Sequence, residues 1–318
     1  FIGTSLVQQR LKQALPEIAY TTDHLPMVAR QVNQVSWSPT GAIELKAMPA
    51  SAVAASQAAS TASASATQST PGFQSTIDYA ALKQSANDNP SSVANKDALP
   101  SKQVFIKPDE LLVFKTQALL NWHGHSVGAL TGIMNKNTIK AMQIFQQKHN
   151  LPVTTTMDEA TWSALTSNET LNKQPIFINY QLTRDDLVIT KAPKDMQYKS
   201  AREAVAEKFH MSQKLVSRLN PTTPLKAGNV ITVYNPYQPN MTEVTKVISD
   251  KKKNILYAYA ASGELVASYP TTVGSNYTPS PSGSLKVKNR VLNPTYNTDF
   301  SSKEKWLPPG PNNPVGRA

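Results

Sequence analysis

Side chains able to do covalent chemistry are sparse in this 318-residue sequence, which holds five histidines and no cysteine. Without cysteine there is no thiolate nucleophile, no disulfide framework and no thiolate zinc site. The pair His123-x-His125 comes nearest to a metal-ligand pattern. No further His, Asp or Glu follows at ligand spacing in that loop, and two imidazoles alone do not fix a coordination sphere. Both are expected on a loop surface, with no metal. The sequence contains no G-x-S-x-G elbow, H-E-x-x-H helix, P-loop or G-x-G-x-x-G turn. Its few scattered acids single out no glycosidase-type pair. No catalytic residue and no cofactor is assigned to the chain.

The composition points to several small cores. Hydrophobic residues make up 40% and charged residues 17%, with 23 prolines and a net charge of +11. The charge is uneven. Residues 1–100 carry six basic and six acidic side chains, whereas 171–240 and 241–318 each carry ten basic against five acidic. Such an excess attracts polyanions, among them nucleic acid, anionic lipid and carboxylate-rich wall polymers, or serves solubility. Nucleic acid is disfavoured, because the basic residues form no stripe interleaved with aromatics and no nucleic-acid-binding fold is evident. No run of 18 apolar residues occurs, so no membrane span is expected. The opening Phe1 reads as an internal start.

The elements that would position a binding site follow from periodicity. Residues 1–49 are an N-terminal region of unclear fold, with a short helix expected over 6–15. Residues 50–101 are an Ala/Ser-rich linker with no apolar stripe to pack. Residues 102–168 read as three helices. An acidic start at Pro108-Asp109-Glu110 leads a stripe of Leu111, Phe114 and Ala118, with Leu112 and Leu119 alongside. A glycine-bearing loop follows, then a helix over 137–149 with Ile139, Met142 and Phe145. Thr156 and Glu159 have capping-box spacing for a third helix through Trp162 and Leu165. After a connector, 169–196, residues 197–236 read as strand, helix, helix, strand. Ser200 and Glu203 form a capping box, Ser212 caps the second helix, Asn220-Pro221 stops it, and Val230–Tyr234 is the closing strand. Each of these two modules is expected to close its own apolar stripe. From Thr242 the period changes to two. Strands are expected over 243–249, 254–259 and 265–269. A half-buried strand should follow, with Leu285, Val287, Asn289 and Val291 inward and Ser284, Lys286, Lys288 and Arg290 outward.

Three resemblances give these modules a function. Leu119…Gly128…Thr138, Ala141, Phe145, Gln146…Leu151…Thr161…Leu165 resembles the peptidoglycan-binding type 1 domain, with its glycine-rich loop and T-x-x-A-x-x-x-F-Q helix. His123-Gly124-His125 and Ala129-Leu130 depart from the usual loop. Leu215…Leu219-Asn220-Pro221…Leu225-Lys226-Ala227-Gly228…Ile231 resembles a LysM repeat, a fold that binds peptidoglycan or chitin glycan. Lys199-Ser200-Ala201 replaces its usual Gly-Asp-Thr opening. That resemblance implies glycan contacts at Asn220, Pro221 and Thr222.

The third resemblance covers residues 241–318. Asn254…Tyr259, Gly263…Gly274, Thr278…Val287, Arg290…Tyr296 and Leu307…Gly316 are ordered as in the first half of an L,D-transpeptidase (YkuD-type) catalytic domain. The resemblance implies acyl transfer from tetrapeptide stems by a cysteine thiolate, activated by histidine and lying beyond Ala318. The expected class is therefore a multi-domain α+β protein. It comprises a three-helix peptidoglycan-binding-like module, a LysM-like βααβ module and the truncated first part of an all-β YkuD-type domain. The partner is peptidoglycan, through both glycan strands and stem peptides, and the setting is the periplasm or cell envelope. A non-enzymatic wall-binding protein is the alternative.

Overall fold

The structure, a computed structural model, describes residues 22, 25–37, 43–45, 108–190, 196–237, 240–289, 291–297 and 306–315. The helix expected over 6–15 and the linker over 50–101 lie outside the described residues. In chain order come α1 (Met27–Gln34), β1 (Val35–Trp37), β2 (Ile43–Leu45), α2 (Pro108–Trp122), α3 (Lys136–Lys148), α4 (Glu159–Thr166) and α5 (Glu169–Asn172). Then follow β3 (Phe177–Gln181), α6 (Ala201–Lys208), α7 (Gln213–Leu219), β4 (Val230–Tyr234), β5 (Lys246–Asp250), β6 (Ile255–Tyr259) and β7 (Leu265–Pro270), with a short pair β8 (Tyr296–Asn297) and β9 (Trp306–Leu307).

Helix α2 organises the molecule. Asp109 and Glu110 lie in its first turn, where acidic side chains complement the helix dipole. Its stripe of Leu111, Phe114 and Ala118 does not face the other two helices of its module. It packs instead with Phe177, Val205, Phe209 and Val233. Leu119 and Leu120 face the three-helix core of Ala141, Met142, Phe145, Trp162 and Leu165. Even Thr116 and Gln117 are buried. A helix enclosed on every side belongs to the interior. The expectation that each module closes its own stripe is thus corrected: they share α2. The N-terminal region contributes to the same core through Ala29, Val32 and Val35. Asn33 brackets the edge of β3, its Oδ1 accepting from the N–H groups of Ile176 (2.7 Å) and Phe177 (2.9 Å).

The α/β unit is built on an antiparallel pair, β3 with β4, in register from Phe177↔Tyr234 to Gln181↔Val230. The opening strand of the unit therefore lies inside 169–196, the stretch read as a connector, and not beside Tyr198. Phe177, Ile178 and Asn179 are all buried, so the strand shows no alternation for a local reading to detect. The helix caps follow the sequence closely. Ser200 accepts from the Glu203 N–H while the Glu203 carboxylate accepts from the Lys199 N–H, and Ser212 accepts from the Leu215 N–H. One cap differs: α4 is capped by Asp158, which accepts from the Thr161 N–H at 2.7 Å, and not by Thr156. Asp158 immediately precedes the helix in extended conformation, which brings its carboxylate to the free N–H groups.

Strands β5, β6 and β7 form an antiparallel meander. Asp250 Oδ1 accepts from the Lys252 and Lys253 N–H groups and closes the basic turn. The strand expected around Leu285–Val291 is not formed. Leu285 is 79% and Val287 94% exposed, and no described strand pairs with this stretch. Alternation supplies two faces, but a strand also needs a partner for its backbone.

Candidate functional site

The loop between α2 and α3 carries the glycines and histidines that drew attention in the sequence. α2 ends in a tight turn, with the Gly124 N–H donating to Asn121 O and the His125 N–H to Leu120 O. Gly124 sits at φ +87°, and a Cβ there would stand 2.7 Å from Val266 O. Gly132, at φ +73°, lies flat on Phe114, whose ring a Cβ would meet at 2.4 Å. Both positions require glycine, for conformation and for close approach.

The loop is stapled on two sides. Toward the meander, the Ser126 N–H donates to Ser268 O (2.8 Å) and the Ser268 N–H donates to Gly124 O (2.9 Å). Toward the α/β unit, the Leu130 N–H donates to His210 O (2.8 Å) and the Ser212 N–H donates to Leu130 O (3.1 Å). It is a junction of three units and not a free surface loop.

Two buried glutamines hold what surrounds it. Gln117 accepts from the Thr131 and Gly132 N–H groups and donates to Ile133 O and Thr138 Oγ1. Gln146 accepts from the Thr154 N–H and donates to Thr154 Oγ1 and Thr161 Oγ1. Thr138, Ala141, Phe145 and Gln146, the residues of the T-x-x-A-x-x-x-F-Q pattern, are all buried. The pattern thus encodes the frame of the module. Around that frame lies an exposed rim that includes Ile133 and Val153.

The histidines are not on a loop surface. His125 is fully buried beneath β7, its Nδ1 3.0 Å from Ser268 Oγ and its Nε2 without a hydrogen-bond partner. Burial, and then the nearby charge of Lys148, pull its pKa down to about 3. His123 contacts Leu165 O at 2.9 Å through Nε2 and meets the Phe145 ring edge-on. Burial lowers its pKa too. Both imidazoles are therefore neutral at pH 7. Among the described residues no three His, Cys, Asp or Glu side chains converge as a metal site.

Asn220, Pro221 and Thr222 sit at the end of α7. Asn220 is buried, and its amide donates to Val216 O and Thr232 O while accepting from the Thr232 N–H. That bracket ties α7 to β4 and leaves the side chain committed to backbone. Pro221 and Thr222 are exposed.

Residues 112–165 match the family described as a putative peptidoglycan binding domain. The match runs from α2 through the stapled loop to Leu165 at the end of the three-helix core. No LysM or L,D-transpeptidase match accompanies it. No curated protein matches the chain. Among the described residues no helix is long and apolar enough to cross a membrane. The helical module is thus similar to peptidoglycan-binding domains, which supports peptidoglycan as a partner and a cell-wall or envelope setting.

Proposed function

We propose that this chain holds its protein on periplasmic peptidoglycan, through the exposed rim of residues 112–165. The carrying observation is the family match, together with the burial of its pattern residues as the frame of that module. The α/β unit is offered as a second, LysM-like contact, with Pro221 and Thr222 at its exposed end and Asn220 positioning them. Two weak contacts on one polymer act through effective concentration, so the pair should retain better than either alone. Single-module affinities for a polymer lie around micromolar to millimolar, about −8 to −4 kcal/mol. The glycan backbone is neutral, so shape and hydrogen bonding are the expected source. Co-sedimentation of the chain with purified sacculi should therefore survive moderate salt. Retention that vanishes with salt would reduce it to the pull of a basic chain on an anionic wall.

A second reading makes the protein a peptidoglycan L,D-transpeptidase, and the residues favouring it are those of 254–316 that resemble the start of that catalytic domain. The meander β5–β7, with its turn at Gly263, is compatible with it. The 318 residues contain no cysteine, so the thiolate such chemistry needs would have to come from sequence outside them. An in-frame His and a Cys followed closely by Arg, downstream of Ala318 in the coding sequence, is the expected result. A stop codon directly after Ala318 would favour the purely binding role.

A further inference from the structure

We propose that the cleft between α3 and the face of the β5–β7 meander is a saccharide site, taking a neutral β-1,4-linked N-acetylhexosamine chain. This deepens the wall-binding reading and rests on it for the ligand class.

The cleft is an open groove of about 690 Å³, a volume within the range of roughly 300–1,000 Å³ usual for small-ligand sites. Its sheet wall presents Tyr257 and Tyr259, two residues apart on β6 and hence on one face. Their ring centroids are 6.5 Å apart with planes 34° from parallel, and both rings are half-buried. A pair of tilted aromatic faces at this spacing offers successive platforms to the C–H faces of successive sugar rings, with each hydroxyl left as a polar handle. Ile144 of α3 lies opposite.

Charge selects the ligand. Lys148 and Lys253 line the cleft, and so do Asp250 and Glu264, which leaves it without net charge. Lys148 pairs with Glu264 at 3.3 Å, and Asp250 closes its own turn. In a chain of net charge +11, this neutral lining does not suit a carboxylate-rich stem peptide. Exposed Gln147 adds an amide able both to donate to and to accept from sugar hydroxyls and acetamides. Two contacts bridge α3 and the sheet: Lys148 to Glu264, and Lys140 Nζ donating to Lys253 O at 2.5 Å. They are about 12 Å apart along the helix by its rise per residue.

The test titrates the full chain with the β-1,4-linked tetramer of N-acetylglucosamine, by calorimetry and by tyrosine ring resonances. Binding is expected to be unchanged between low and raised salt. The pair Tyr257→Ala with Tyr259→Ala should weaken it at least about tenfold, whereas Tyr257→Phe with Tyr259→Phe should keep most of it. Gln147→Trp, at an exposed position, should block the cleft without touching a core, and it serves should the alanine pair fail to fold. No titration by the tetramer, or equal binding by the Gln147→Trp chain, would overturn the site. So would salt-sensitive binding of a soluble stem tripeptide in place of the tetramer. Sacculus retention by a chain that does not bind the tetramer would sink the cleft and leave wall binding in place. Tetramer binding at the cleft without sacculus retention would support the cleft and remove the wall-binding reading.

Discussion

Residues 102–168 expressed alone are expected to lose a cooperative unfolding transition, although they contain the whole matched domain. Removing the α/β unit exposes Leu111, Phe114, Ala118 and Leu130, all buried in the core that the two units share. Each large side chain returned to water forgoes about 1.5–3 kcal/mol of burial. Three such side chains approach the whole stability of a small domain, about 5–15 kcal/mol. The staple from Leu130 to His210 and Ser212 is lost as well. Thermal melts by circular dichroism, with dye binding as a second probe, would show a broad transition and exposed apolar surface. The full chain should melt sharply through this region. A sharp, reversible melt of the 102–168 fragment would refute the shared core as an energetic unit.

Acid is expected to weaken the junction well before general acid unfolding. His125 has a folded pKa of about 3, lowered from 6.5 chiefly by burial. Above pH 6.5 the imidazole is neutral in both states and its contribution is fully present. Between 6.5 and 3 the unfolded chain binds a proton that the folded chain refuses, so stability falls as pH falls. The slope is about 1.4 kcal/mol per pH unit, or roughly 3 kcal/mol by pH 4. His123 and His149, both lowered chiefly by burial, act in the same direction. Urea unfolding at a series of pH values, for the native chain and for His125→Gln, reads this directly. The variant should be less stable at pH 7 yet flatter from pH 6.5 to 4. Identical slopes would show that His125 is not the titrating group.

What could be read from residues alone was local. Ser200 with Glu203, Ser212 and the Asn220-Pro221 stop act within a few positions of one another, and each works in the folded chain as its neighbours predict. The same holds for the turn at Asp250 and the glycine at Gly263. The pattern Thr138, Ala141, Phe145 and Gln146 was visible through its resemblance to the peptidoglycan-binding type 1 domain, and it is buried because a helix repeats its inward face every three or four residues.

The pairing of β3 with β4 was not visible. Its register is set between residues 49 to 57 positions apart, and Phe177–Asn179 is buried without alternation. Leu285 and Val287 show the converse, an alternating pattern with no strand among the described residues to pair with. The histidines were misplaced for a related reason. Two imidazoles in a glycine loop look exposed until Ser268, 143 residues from His125, is brought over it and Leu165 O meets His123. By itself the sequence determined helices α2, α3, α4, α6 and α7, the caps of α6 and α7, and, through its resemblance, that α3 belongs to a peptidoglycan-binding-type module. Only the tertiary structure decided that α2 serves two cores, that the loop is a junction, and that Tyr257 and Tyr259 face α3 across a cleft. Caps and periodicity depend on near neighbours, whereas shared cores and clefts depend on contacts that no short window contains.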